Sequence, residues 1–144
     1  MRERPPDGRA VYRGGMSHPP RFTEDDPLLA RVRGIALALP GSAEKVSHGR
    51  PTFFTRKVFA IFGGVVKGDH GSRALGQALV FLPDPEERPA LLDDGRFAVP
   101  GYEGAYGWLA LDLRGEVDWS EVAELVESSY RLTAPPRLVA ELPA

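Results

Sequence analysis

Lysine and arginine side chains in the middle of the chain have the types and spacing best suited to chemistry, because cations on strands and loops contact phosphate groups. Residues 44–77 have a net charge of +4, whereas residues 78–144 have a net charge of −8. The whole chain of 144 residues has a net charge of −2, which argues against strong nucleic-acid binding but permits a local basic face. We therefore expect weak, largely non-specific DNA binding through phosphate contacts from six residues: Lys45, Arg50, Arg56, Lys57, Lys67 and Arg73.

A glycine-rich loop with aromatic residues suggests a different kind of contact. Gly101, Gly104 and Gly107 frame Tyr102 and Tyr106, and a loop of this composition is expected to expose its rings. The alternative interpretation is therefore a non-enzymatic module that binds a small ligand or a protein with loop residues 102–108. An apolar pocket beside the two tyrosines would favour this alternative, whereas a continuous basic sheet face would favour DNA.

The residues that usually perform catalysis or bind metals lack the necessary spacing. Cysteine is absent, which excludes disulfides, thiolate metal sites and a thiol nucleophile. His48, His70 and Asp69 have no regular metal-ligand spacing, and no GxSxG motif marks an activated serine. We therefore expect no enzymatic activity, no metal and no cofactor, although histidines that converge in a cleft would favour an enzyme again.

The chain's hydropathy and its N-terminal composition predict its location and its domain boundary. It has no run of 18 apolar residues, so we expect no membrane segment, and we expect a cytoplasmic monomer. Residues 1–22 are rich in proline, glycine and arginine and have no apolar periodicity. They are predicted to be a disordered arm that folding does not require, and residues 23–144 are predicted to form a single domain.

Hydrophobic periodicity predicts the elements that must position these side chains. Strands flanked by helices towards both chain ends imply an α+β fold with an antiparallel sheet. The glycine-rich residues 63–76 are predicted to form a flexible wing, and Trp108 and Trp119 are predicted to be core residues. Strands are predicted at 44–48, 52–55, 58–62, 77–82, 97–99 and 108–113. Helices are predicted at about 26–39, at 84–94 or, because of Pro89, from about 88 onwards, from Asp118 to at least Tyr130, and from Pro135 and Pro136 to about Leu142.

Several segments together resemble the MmcQ/YjbR-like family over about residues 26–142. The resemblance implies a double-wing α+β fold, in which N- and C-terminal helices pack on a curved antiparallel β-sheet. It also implies the DNA binding that is predicted for the family, and it supplies no catalytic motif. The resemblance rests on Ile35–Gly41, Val46–Phe53, Arg96–Tyr102 with Gly107 and Trp108, and Asp118–Pro135.

This chain departs from the family pattern in two respects. Pro136 stands where relatives often have a lysine, so any phosphate contact by that lysine is absent here. The C-terminal half is also strongly acidic. Only the face formed by the sheet and the wing is therefore expected to meet DNA.

Overall fold

The computed structural model describes residues 19–143, in which four α-helices accompany six strands. None of the helices in this part of the chain is long and apolar enough to cross a membrane. The helices are α1 (Pro27–Ala36), α2 (Arg88–Asp93), α3 (Trp119–Thr133) and α4 (Pro136–Val139). The strands are β1 (Ala43–Ser47), β2 (Arg50–Phe54), β3 (Val58–Phe62), β4 (Ala78–Phe81), β5 (Phe97–Ala98) and β6 (Leu109–Asp112).

The six strands form one open antiparallel sheet in the order β1-β2-β3-β4-β6-β5. The alternation of side chains along each strand gives the sheet two distinct faces. One face packs against α1 and α3, which come from the two ends of the domain. The predicted α+β architecture is therefore confirmed.

The main hydrophobic core lies between this face and the helices. Tyr130 of α3 is fully buried, and its ring meets that of Phe59 edge to face at 5.3 Å. Its hydroxyl donates a hydrogen bond of 2.6 Å to the carbonyl oxygen of Pro40. The neighbouring Ser129 donates to the Phe59 carbonyl and accepts from the backbone N–H of Leu82. Polar contacts therefore join α3 to β3 and to the residue that follows β4, in addition to packing.

The opposite face of the sheet has a smaller hydrophobic cluster. It is formed by Ile61, Ala78, Val80 and Ala110, with Leu75, Val58 and Trp108 packed around it. Leu75 belongs to the segment between β3 and β4, residues 63–77, which we call the wing. Backbone hydrogen bonds from Gly63 to Ala78 and from Gly64 to Leu75 fix the base of this wing.

Both tryptophans pack on a hydrophobic cluster, as predicted for core residues, but neither is fully buried. Trp108 packs on the smaller cluster and remains partly exposed. Trp119, the first residue of α3, packs on the main core and is also only partly buried. The guanidinium of Arg31 lies 4.3 Å from the Trp119 ring, in a cation–π contact.

Candidate functional site

A cleft of about 470 Å³ opens where four segments meet. Its volume lies within the range typical of small-molecule sites. The lining residues come from a short segment before α1, the β1–β2 turn, the wing and the loop before β6. They are Pro19, Pro20, Arg21, His48, Arg50, Val65, His70, Arg73, Tyr102 and Glu103.

The first wall of the cleft is the segment Pro19–Phe22, which we call the strap. The backbone N–H of Arg21 donates a hydrogen bond of 2.8 Å to the carbonyl oxygen of Gly49, and Phe22 packs on the main core. The packed part of the chain therefore begins before the boundary that the sequence predicted between residues 22 and 23. The remainder of the predicted arm, residues 1–18, lies outside the described residues.

The β1–β2 turn brings His48 to the cleft. Its two central residues, His48 and Gly49, have φ values of 53° and 78°. Positive φ at both positions is the conformation that two-residue hairpins prefer, because its twist matches that of the strands. Gly49 also lies beneath the strap, since a Cβ atom there would be 2.3 Å from the carbonyl oxygen of Pro19.

Arg50 lies in the wall of the cleft and not on an exposed basic face. Only 5% of its surface is accessible, and its Nη2 atom lies 2.7 Å from Oε2 of Glu103. Its Nη1 atom donates to the carbonyl oxygen of Gly63 at 3.1 Å. The expectation that Arg50 is a surface cation is therefore wrong, because its charge is paired within the fold. Arg50 connects the start of β2 to the wing and to the loop before β6.

Tyr102 occupies a strained backbone position at the edge of the cleft. Its φ and ψ are 64° and −77°, and the N–H of Glu103 donates to the carbonyl oxygen of Gly101 at 2.8 Å. This is a γ-turn with positive φ, a rare conformation that tends to occur at functional sites. The Tyr102 hydroxyl lies 2.9 Å from a ring nitrogen of His70, which connects the loop to the wing.

The rest of the predicted aromatic loop does not line the cleft. Tyr106 is 82% exposed and is not among the lining residues, and Trp108 packs on the opposite sheet face. From this loop the cleft receives Tyr102, together with Glu103. The pocket is therefore beside one of the two tyrosines that the sequence singled out.

Arg21 and Arg73 give the cleft its positive potential. Burial lowers the pKa of Arg21, and the charges of Arg73 and Arg50 lower it further. Nη2 of Arg21 is buried without a hydrogen-bond partner among residues 19–143, and neither Arg21 nor Arg73 forms an ion pair with a carboxylate in that part of the chain. An anion between these guanidinium groups would relieve their mutual repulsion and supply the missing acceptor.

The six predicted cations do not share one surface. Arg50 and Arg73 line the cleft, and Lys67 is exposed elsewhere in the wing. Arg56 and Lys57 are exposed just beyond the other end of β2. Arg50 is the first residue of this strand, whose five residues span about 17 Å. Lys45 lies on β1, with its ammonium 4.7 Å from the ring centre of Phe54.

Like Glu103, Arg21 is a charged cleft residue that the sequence prediction missed. It lies in a segment whose proline and arginine content indicated disorder, and its place in the cleft depends on contacts with the distant β1–β2 turn. The one local signal is Phe22, an aromatic residue just before the first helix. His48 and His70 do converge on the cleft, but the described residues contain no group of three histidine or acidic side chains placed to hold a metal.

The fold and the site together define a small α+β protein with one open antiparallel sheet and an arginine-lined cleft. The chain belongs to the YjbR family, whose model matches residues 37–132. The crystal structure of Deinococcus radiodurans protein DR2400, a DUF419-domain protein, has a similar fold with a TM-score of 0.55. The two are 21% identical, and the match covers 72% of this chain and 76% of that one. No curated protein matches this chain.

Proposed function

We propose that this YjbR-family protein binds the phosphate group of a small ligand in the cleft. The observation that supports this role is the convergence of Arg21 and Arg73 on a concave site whose carboxylate, Glu103, is already paired with Arg50. Guanidinium groups bind phosphate through paired, charge-assisted hydrogen bonds. The apolar walls formed by Val65 and the strap prolines would hold the uncharged part of the ligand. The proposed role is binding and not catalysis.

Replacing Arg73 with glutamine tests this proposal, because Arg73 is exposed and its loss leaves the core intact. We expect inorganic phosphate, compared with chloride at equal ionic strength, to raise the melting temperature of the wild-type protein, since a ligand that binds only the folded state stabilises it. A 5′-mononucleotide should bind in isothermal titration calorimetry. Arg73→Gln should weaken its affinity by about tenfold or more, because hydrogen bonds to charged groups contribute roughly 1.5–3 kcal/mol.

The matched control is Arg137→Gln. Arg137 is exposed on α4, whose Leu138 lies beside Gly41, at the opposite end of β1 from His48. This variant removes the same charge from the protein and should bind phosphate as the wild type does. Equal affinity in all three proteins, or no stabilisation by phosphate in the wild type, would contradict the proposed site.

Weak DNA binding through the wing is a second candidate function, favoured by the exposure of both Lys67 and Arg73. With Arg21, these residues could neutralise about three phosphates. The slope of log K against log salt on duplex DNA should then be about −2.7, with Kd values of roughly 10⁻⁴ to 10⁻⁶ M at physiological salt. A combined Lys67→Ala and Arg73→Ala variant should flatten this slope by nearly two units. Absence of binding at low salt would exclude this function.

A further inference from the structure

A second groove of about 460 Å³ lies next to the cleft. The two cavities share Pro20, Arg21 and Arg73, so both arginines stand at the boundary between them. Beyond this boundary the groove is lined by Gln77 and Arg114, among other residues. An anion held by Arg21 and Arg73 would therefore be accessible from two sides.

The lining of the second groove contains three arginines and one carboxylate. Arg114 is about half exposed, and Asp112 holds it through hydrogen bonds to Nε and Nη2, while Nη2 also donates to the carbonyl oxygen of Ala74. Each oxygen of the Asp26 carboxylate, which also lines the groove, accepts one hydrogen bond from a neutral donor: Oδ1 from the N–H of Leu28 and Oδ2 from the amide of Gln77. The groove thus contains a guanidinium held in place by its ion pair with Asp112, and its positive charge comes mainly from Arg21 and Arg73 at its boundary with the cleft.

We propose that the ligand is a phosphodiester, whose phosphate lies between Arg21 and Arg73 and whose two substituents occupy the cleft and the second groove. This inference rests on the proposed phosphate binding and specifies its ligand class. A phosphomonoester has a substituent on one side of the phosphate and would leave one cavity unused. A diester places an organic group in each cavity, with Arg114 positioned to contact the group in the second groove.

The test compares two probes by isothermal titration calorimetry on the full chain: a 5′-mononucleotide and a dinucleoside monophosphate, which has one internal phosphodiester and no terminal phosphate. We expect the dinucleoside monophosphate to bind about tenfold more tightly, because it fills both cavities. Arg114→Gln should weaken its binding by about fivefold and leave the mononucleotide unaffected, whereas Arg114→Lys should restore part of the loss. Arg131→Gln on α3 is the control for charge and should change neither affinity.

The outcomes separate this inference from the function on which it rests. If the mononucleotide binds at least as tightly as the dinucleoside monophosphate, or if Arg114→Gln leaves diester binding unchanged, the phosphodiester inference fails while phosphate binding stands. If neither probe nor inorganic phosphate binds, phosphate binding itself fails. A single-stranded hexanucleotide distinguishes the source of the diester: a nucleic-acid strand should bind more tightly than the dinucleoside, and a free dinucleotide-like ligand should not.

Discussion

Replacing Arg50 with alanine is expected to lower the free energy of unfolding by about 3–5 kcal/mol, the range measured when one partner of a buried ion pair is removed. Arg50 is almost completely buried, and its partner Glu103 keeps only 17% of its side-chain surface exposed. The substitution leaves that carboxylate without its counter-charge and the carbonyl oxygen of Gly63 without the guanidinium donor. Urea denaturation followed by circular dichroism measures the change.

Two further variants show whether burial is the cause. Arg131→Ala removes an exposed pair with Glu127 one turn away on α3, and it should cost only about 0.3–0.5 kcal/mol. The double variant Arg50→Leu with Glu103→Leu removes both buried charges, so it should be much more stable than Arg50→Ala. An Arg50→Ala protein as stable as Arg131→Ala would show that Arg50 contributes no more than a surface cation.

Short runs of apolar residues were sufficient to predict the centre of the sheet. The predicted strand 58–62 coincides with β3, and the strands predicted at 77–82 and 108–113 contain β4 and β6. These strands are almost continuously buried, and a short apolar run is the local signal for such a position. In β3 and β4 the run also contains β-branched and aromatic residues, which favour strands. The ends of the elements were predicted less well, because tertiary contacts decide them.

The first helix shows how such contacts shorten a predicted element. The apolar stripe predicted a helix to residue 39, but α1 ends at Ala36. The hydroxyl of Ser42 donates to the carbonyl oxygens of Ala36 and Leu39, and Gly41 has a φ of 67°. These features turn the chain towards β1. The spacing of apolar residues contains no information about them, so it predicted a longer helix. The second helix begins at Arg88, the later of the two starts that Pro89 left open in the sequence, and Pro89 lies in its first turn, where proline is tolerated.

The cleft could not be predicted because it depends on pairs of residues far apart in the chain. Arg50 and Glu103 are 53 positions apart, and Arg21 reaches the turn at Gly49. Neither residue of the ion pair lies in a motif that identifies its partner. Charge counting therefore placed Arg50 and Arg73 in one basic set, although one is neutralised inside the fold and the other is exposed.

The substitution Gly49→Ala should detach the strap from the β1–β2 turn. An added Cβ would lie 2.3 Å from the carbonyl oxygen of Pro19, and a backbone atom cannot move aside as a flexible side chain can. The variant therefore loses the hydrogen bond between Arg21 and Gly49 and part of the packing of Phe22. With the strain of a side chain at φ 78°, we expect destabilisation of about 2–4 kcal/mol and at least tenfold weaker phosphate binding.

The matched control is Gly115→Ala, because Gly115 has a φ of 85° and nothing lies within 4 Å of its missing Cβ. This variant imposes the same backbone strain without a collision, so it should lose only about 1–2 kcal/mol and bind phosphate normally. The difference in unfolding free energy between the two variants isolates the contribution of the strap to stability. The difference in affinity isolates its contribution to the cleft, since the strap holds Arg21 there. If both variants lose the same stability and keep the same affinity, the strap is not part of the binding site.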